Sequence, residues 1–254
     1  MISIFANQFN TMKFTKTAVF ISFFLLQGCS AYRHNTANEI GEITVTSPDA
    51  VKYLPGFPAF DDKDAFFNDS IMYERGFAMR DSERGRQAIA DASIQLDFYH
   101  KRFGEVMGVN ISEENTPAIA NYLKTTHSFA GKSIVKAKGS FSRERPFSYF
   151  GESSSIPKDE EKYGAYTSYP SGHSIGAWII ALSLTAIDDE HECEIIRVGY
   201  ELGQSRVITG FHYQSDVEAG RLAASVVFAK IVSDEEYIKL MNLARKELQE
   251  LRSK

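Results

Sequence analysis

The sequence predicts an all-α fold, one compact helical domain. Three observations lead there. From residue 61 onward apolar residues recur at spacings that suit helix faces. One segment, 171–187, is strongly apolar, as a helix in the middle of a domain must be. Strand-like alternation of apolar and polar residues is almost absent.

Residues 1–28 read as a targeting segment, with Met12 as an alternative start. Lys13 and Lys16 form a short basic region, and the apolar run TAVFISFFLL at 17–26 is too short to span a bilayer. Leu26, Gly28 and Cys29 resemble a bacterial lipoprotein cleavage box, from which Gln27 departs. Cys29 is therefore a lipidation candidate, with plain secretion as the alternative. Either outcome implies export to the periplasm, free or anchored at the outer membrane through a lipid on Cys29. Residues 29–60 are polar, then rich in Pro and Gly, and read as an extended arm.

The helical domain covers 61–254. Phe66, Phe67, Ile71, Met72 and Phe77 suit one helix face; Arg80, Glu83, Arg84 and Arg86 follow as a solvated helix end or a salt-bridge network. A second helix is expected over 88–103, closed by Gly104 and Gly108. Pro117 marks a further start, with one helix over 118–129 and a short one within 131–141. Residues 151–167 read as a polar surface loop. Helices over 171–187, 190–204 and 216–232 follow, and a charged amphipathic helix at 234–251 packs on the outside.

Composition excludes little. At 43% hydrophobic and 24% charged the chain is an ordinary globular one, and a net charge of −5 gives no reason to expect a nucleic-acid partner. A local cationic site remains compatible with that balance. Of two cysteines, Cys29 belongs to the leader, so the mature domain has no internal disulfide. Cys193 sits among Glu190, His191, Glu192 and Glu194, which read as a solvated acidic helix start in preference to a zinc site.

Three stretches carry candidate chemistry. In Pro170-Ser171-Gly172-His173, Ser171 can cap a helix and Gly172 admits close approach of an anion to the backbone. Helix-start N–H groups suit a phosphate, and His173 beside it can donate a proton. The alternative is a capped helix with an ordinary histidine. Downstream, His212 and Asp216 are four apart and would share a helix face. A carboxylate there fixes the imidazole tautomer and frees the other nitrogen to attack; the alternative is a simple surface pair. Upstream, Lys138 offers a point charge and Arg145 a planar fork, with Arg206 as a second fork. Each alone is more often a surface charge. Together they match the charge that gathers on phosphoryl oxygens during transfer. No carboxylates stand at metal-ligand spacing beside His212 and Asp216, so neither a metal nor a cofactor is expected.

In order, the stretches read K-x6-R-P, P-S-G-H and S-R-x5-H-x3-D. This resembles the type 2 phosphatidic acid phosphatase superfamily, which also contains the vanadium haloperoxidases, and within it the bacterial class A non-specific acid phosphatases. Similarity extends through Tyr53-Leu54-Pro55, Phe67-Asn68-Asp69, Met72-Tyr73-Glu74, Glu83-Arg84-Gly85, Arg145-Pro146-Phe147 and residues 199–208, so it covers about 50–250. Ser174 stands where Thr is more usual, and 151–167 lacks the cysteine that some relatives carry. The resemblance implies a phosphate monoesterase of broad specificity. His212 would form a phosphohistidine, Asp216 would orient it, and His173 would protonate the leaving alcohol and then activate water. Lys138, Arg145, Ser171, Gly172 and Arg206 would hold the phosphoryl oxygens without a metal. It also implies homo-oligomers. A haloperoxidase, a phosphotransferase or a pyrophosphatase on the same site are the alternatives. With both histidines starting near pH 6.5, Asp216 is expected to raise His212 and nearby cations to lower it, giving an optimum below neutral.

Overall fold

A computed structural model describes residues 40–254, and Gly41–Lys254 form one compact unit. The expected targeting segment 1–28, Cys29 and the first part of the arm lie outside the described residues. Ten α-helices run through the described residues: α1 Lys63–Ala78, α2 Glu83–Ala90, α3 Leu96–Met107, α4 Pro117–Ser140, α5 Pro146–Tyr149, α6 Pro157–Tyr163, α7 Gly172–Thr185, α8 Glu192–Ile208, α9 Gln214–Ile231 and α10 Glu235–Arg252. Among those residues there is no strand, only an isolated parallel bridge between Arg143 and Thr167. The fold is all-α. None of these helices is long and apolar enough to cross a membrane.

Helix α7 is the centre, packed chiefly against α8 and α9 and then α4. Ten of its fourteen residues are buried, as its nearly unbroken apolar sequence requires. Small residues set the helix spacing. A Cβ at Gly199 of α8 would stand 2.8 Å from the Ala181 Cβ, and one at Gly220 of α9 2.8 Å from the Ser171 carbonyl oxygen. The second approach matters most, because it brings the start of α9 against the turn that opens α7. Helix α10 closes the other side: its buried Glu247 accepts from the Ala118 and Ile119 N–H groups, which have no carbonyl one turn back.

Four local expectations change. The buried face of α1 is Phe66, Asp69, Tyr73 and Gly76, whereas Phe67 and Phe77 are 64% and 45% exposed. The inward face is not the most apolar one, because Asp69 has a buried cationic partner. The single helix expected over 88–103 is two, α2 and α3. Buried Asp91 caps α2 and accepts from Ser205 Oγ at 2.6 Å, with Arg102 Nε at 3.4 Å. The break frees the Ala92 carbonyl from helical bonding. Conversely, the helices expected over 118–129 and 131–141 are one, α4; Gly131 does not end it. Finally, 151–167 is not simply a surface loop. It contains α6, and its Ser155 N–H is tied to the Thr209 carbonyl at 2.9 Å.

The described arm runs across the domain. Ser133 Oγ donates to the Pro48 carbonyl, Tyr169 OH to that of Pro55, and the Phe57 ring packs on Tyr169 at 5.6 Å.

Candidate active site

Each sequence-predicted side chain sits at an element end, and the ends converge. Lys138 lies in the last turn of α4, Arg145 just before α5, Ser171 at the N-cap of α7, and Arg206 in the last turn of α8. His212 is in the tight turn between α8 and α9, not on a helix as its spacing to Asp216 suggested. Asp216 is in the first turn of α9, where Oδ2 accepts from the Tyr213 N–H at 2.9 Å. The contact forms all the same: His212 Nδ1 lies 3.3 Å from Asp216 Oδ2.

The partners fix the His212 tautomer. Nε2 is 3.2 Å from Arg145 Nη1, and a guanidinium can only donate. Nε2 therefore carries the lone pair, and Nδ1 carries the proton that Asp216 accepts. The same logic applies to His173. Its Nε2 is 2.8 Å from the Ala92 carbonyl oxygen, which can only accept, so Nε2 keeps its hydrogen and Nδ1 is the nitrogen that can gain or lose a proton.

Asp216 is itself held by a residue the motif analysis passed over. Fully buried Arg143 binds Asp216 Oδ1 through Nη1 at 2.6 Å and Asp69 Oδ2 through Nη2 at 2.7 Å. Ser215 closes the group, donating its N–H to Asp69 Oδ1 at 2.8 Å and accepting from Arg143 Nη1 at 2.7 Å. Ser168 Oγ donates to Asp216 Oδ2 at 2.5 Å. The Arg143 plane lies over the Tyr213 ring at 4.1 Å and the Phe57 ring at 5.0 Å.

The other cations form a cradle poor in counter-charge. Arg145 is braced by backbone carbonyls of Gly164, Thr167 and Phe211 at 2.9–3.0 Å. Lys138 Nζ donates to the Thr167 carbonyl at 2.7 Å. Arg206 is fully buried; its Nη2 reaches Asp159 at 3.5 Å, while Nε and Nη1 have no hydrogen-bond partner. The electrostatics follow. Burial, then Arg145 and Arg206, push Lys138 down to about 7. Burial lowers Arg145 and Arg206 to about 10 each. Burial, then Arg145, Lys138 and Arg206, hold His212 well below the usual imidazole range. Burial, then Arg206 and His212, do the same to His173. Of the two opposing influences expected on His212, burial and the three cations outweigh Asp216. Buried donors such as Arg206 Nε and Nη1, beside two further cations, suit the binding of an anion.

Ser171 and Gly172 occupy the expected turn, with a qualification. The Ser171 N–H is committed to the Asp216 carbonyl at 3.0 Å, and its Oγ accepts from Ser174 N and Ser174 Oγ at 3.3 and 2.9 Å. The donors left for an anion are the Ser171 hydroxyl hydrogen and the first helical N–H groups of Gly172 and His173. Cys193 is exposed, as a solvated helix start requires. Among the described residues no group of three or more His, Cys, Asp or Glu could hold a metal ion.

Sequence reasoning missed Arg143, Asp69, Ser168, Asp159 and the Ala92 carbonyl. Asp69 left two traces, its place in Phe67-Asn68-Asp69 and a carboxylate in step with Phe66 and Tyr73 on α1.

Residues 118–237 match the PAP2 superfamily. The chain is 40% identical to a non-specific acid phosphatase of Providencia stuartii over 188 residues, 74% of this chain and 76% of that one. It is 38% identical to a non-specific acid phosphatase of Salmonella typhimurium over 197 residues, 77% and 78% of the two chains. An acid phosphatase of Zymomonas mobilis is 34% identical over 175 residues, 69% and 66%.

Replacing Arg143 by Met should leave two buried carboxylates without their cation and cost about 3–5 kcal/mol of stability in urea unfolding. Adding Asp69→Asn should recover part of that loss, so the two changes should not be additive. A loss under ~1 kcal/mol for the single variant would mean that the ion pair is not holding these elements.

Proposed function

The chain belongs to the PAP2 superfamily, among its bacterial non-specific acid phosphatases, and from that premise we propose that it hydrolyses small phosphate monoesters outside the cytoplasm through a phosphohistidine on His212, without a metal ion. The observation that carries this reading is the His212 ring, with its lone pair at Nε2 facing a cradle of three cations.

In the first step Nε2 attacks phosphorus as the P–O bond to the leaving alcohol breaks. His173 Nδ1–H gives the departing oxygen its proton. In the second step His173, now neutral, takes a proton from water, which attacks phosphorus and releases the P–N bond. Asp216 stabilises the Nδ1–H that carries positive charge while Nε2 is bonded. Lys138, Arg145 and Arg206, with the Ser171 hydroxyl and the N–H of Gly172, hold the equatorial oxygens, the service a metal gives elsewhere. An anionic substrate also supplies the counter-charge that the free cradle lacks. It should therefore raise His173 into the range where it holds a proton. Export is supported by the basic and apolar stretches of residues 13–26.

Three outcomes test the proposal. First, a chromogenic phosphate monoester should be cleaved in excess EDTA, and His212→Ala should lose roughly 10⁴-fold or more in kcat. Loss of activity in EDTA, or a fully active variant, counts against the mechanism. Second, the sign of the Lys138 shift sets the alkaline limb. As pH rises through about 7 the free protein loses this cation, so kcat/KM should fall there. Lys138→Arg keeps its charge far above that pH and should move the limb upward; an unmoved limb assigns it elsewhere. Third, intact mass of the exported protein should report a new N-terminus in the region of Cys29, and a mature protein that retains residues 13–26 would refute export.

A further inference from the structure

Asp159 faces the cradle from α6, and its position is built. Ser155 N–H is bonded to the Thr209 carbonyl just before the helix, and Arg145 Nε to the Gly164 carbonyl just after it. The Tyr163 ring packs edge-on against His173 at 6.3 Å and Phe211 at 6.0 Å. Between these ties the carboxylate, 20% exposed, is set 3.5 Å from Arg206 Nη2. The remaining nitrogens of that guanidinium, Nε and Nη1, are buried and have no partner. One fully buried cation thus has a carboxylate at one nitrogen and unanswered donors at the others.

We propose that Asp159 is a fixed counter-anion that weakens the cradle's hold on inorganic phosphate and so speeds product release. The inference rests on reading the cradle as the phosphoryl site. Three cations, two of them buried, would bind the product as firmly as the substrate, and binding shared by ground states does nothing for turnover. A carboxylate on the same guanidinium repels the dianion. In a site of low effective dielectric, like charges held a few ångströms apart repel by several times the thermal energy. Asp159 also keeps the Arg206 fork oriented while no anion is bound, which spares the site a reorganisation when one arrives.

Competitive inhibition by inorganic phosphate, at one fixed pH, tests this in wild type, Asp159→Asn, Asp159→Glu and Glu161→Gln. The inhibition constant should fall about fivefold or more in Asp159→Asn, a conservative share of the interaction above. It should stay near wild type in Asp159→Glu, which restores the charge, and in Glu161→Gln, whose residue is exposed on the same helix. A packing role predicts the reverse, because loosening α6 would raise the constant. A constant in Asp159→Asn equal to or above wild type, with turnover retained, overturns the proposal. Should that variant not fold, Asp159→Ser with the phosphate-induced rise in Tm gives the same reading: a larger rise than wild type supports it, an equal or smaller rise overturns it. The underlying site reading fails separately, if wild type neither cleaves a monoester nor is inhibited by phosphate.

Discussion

Everything in the site hangs on a guanidinium enclosed between two carboxylates. Arg143, Asp69 and Asp216 are all essentially out of water. Removing three charges from water costs several kcal/mol per ion, and only close geometry with nearly all hydrogen bonds made can offset it. Here the geometry is close: contacts at 2.6 and 2.7 Å, Ser215 and Ser168 completing the carboxylates, aromatic faces on the cation. The pair ties α1 to the start of α9 and to the segment that bears Arg145. Such a node is poor at raising stability over an apolar core, but it permits few alternative arrangements. It holds Asp216 in one place, and through Asp216 it holds His212.

A second consequence is electrostatic. Asp216, shared between Arg143 and His212, only partly offsets the burial of Lys138 and Arg145. Lys138, Arg145 and Arg206 face two histidines, and they lower the readiness of His212 to carry a proton, as Arg206 and His212 do for His173. The chain's net charge of −5 gives no sign of this local excess. The fold concentrates cations at helix ends that meet.

The helical class and the middle position of α7 were legible because apolar content and period report burial directly. That Lys138, Arg145, His173, Arg206, His212 and Asp216 belong together was legible because three motifs set these residue types at fixed separations. The rest was not, for physical reasons. Arg143 stands two residues from Arg145, and nothing in the run says which guanidinium turns to the core and which to the cradle. Ala92 acts through its carbonyl, which any residue has. Asp159 begins the run Asp159-Glu160-Glu161, and only the docking of α6 selects it. The division of 88–103 into two helices depends on Asp91 finding Ser205 and Arg102, both distant in sequence.

The proton on His173 depends on the folded surroundings more than on the imidazole itself. From sequence, activity below neutral follows from two imidazoles that titrate near 6.5. In the folded chain neither does. Burial and the neighbouring cations lower both well below it, so in the proposed mechanism His212 would be neutral as the attacking group and His173 would have to gain its proton. On that mechanism the proton would come with the substrate or be drawn from solvent by it. A phosphate monoester loses its second proton near pH ~6, so below that a monoanion would bring a proton with it. Above it, the dianion must draw a proton from solvent, and Lys138, near 7, is losing its own. On that mechanism a preference for acid conditions would be a property of the loaded site. It would come from a cationic cradle that takes up charge and proton together, and not from the intrinsic pKa of either histidine.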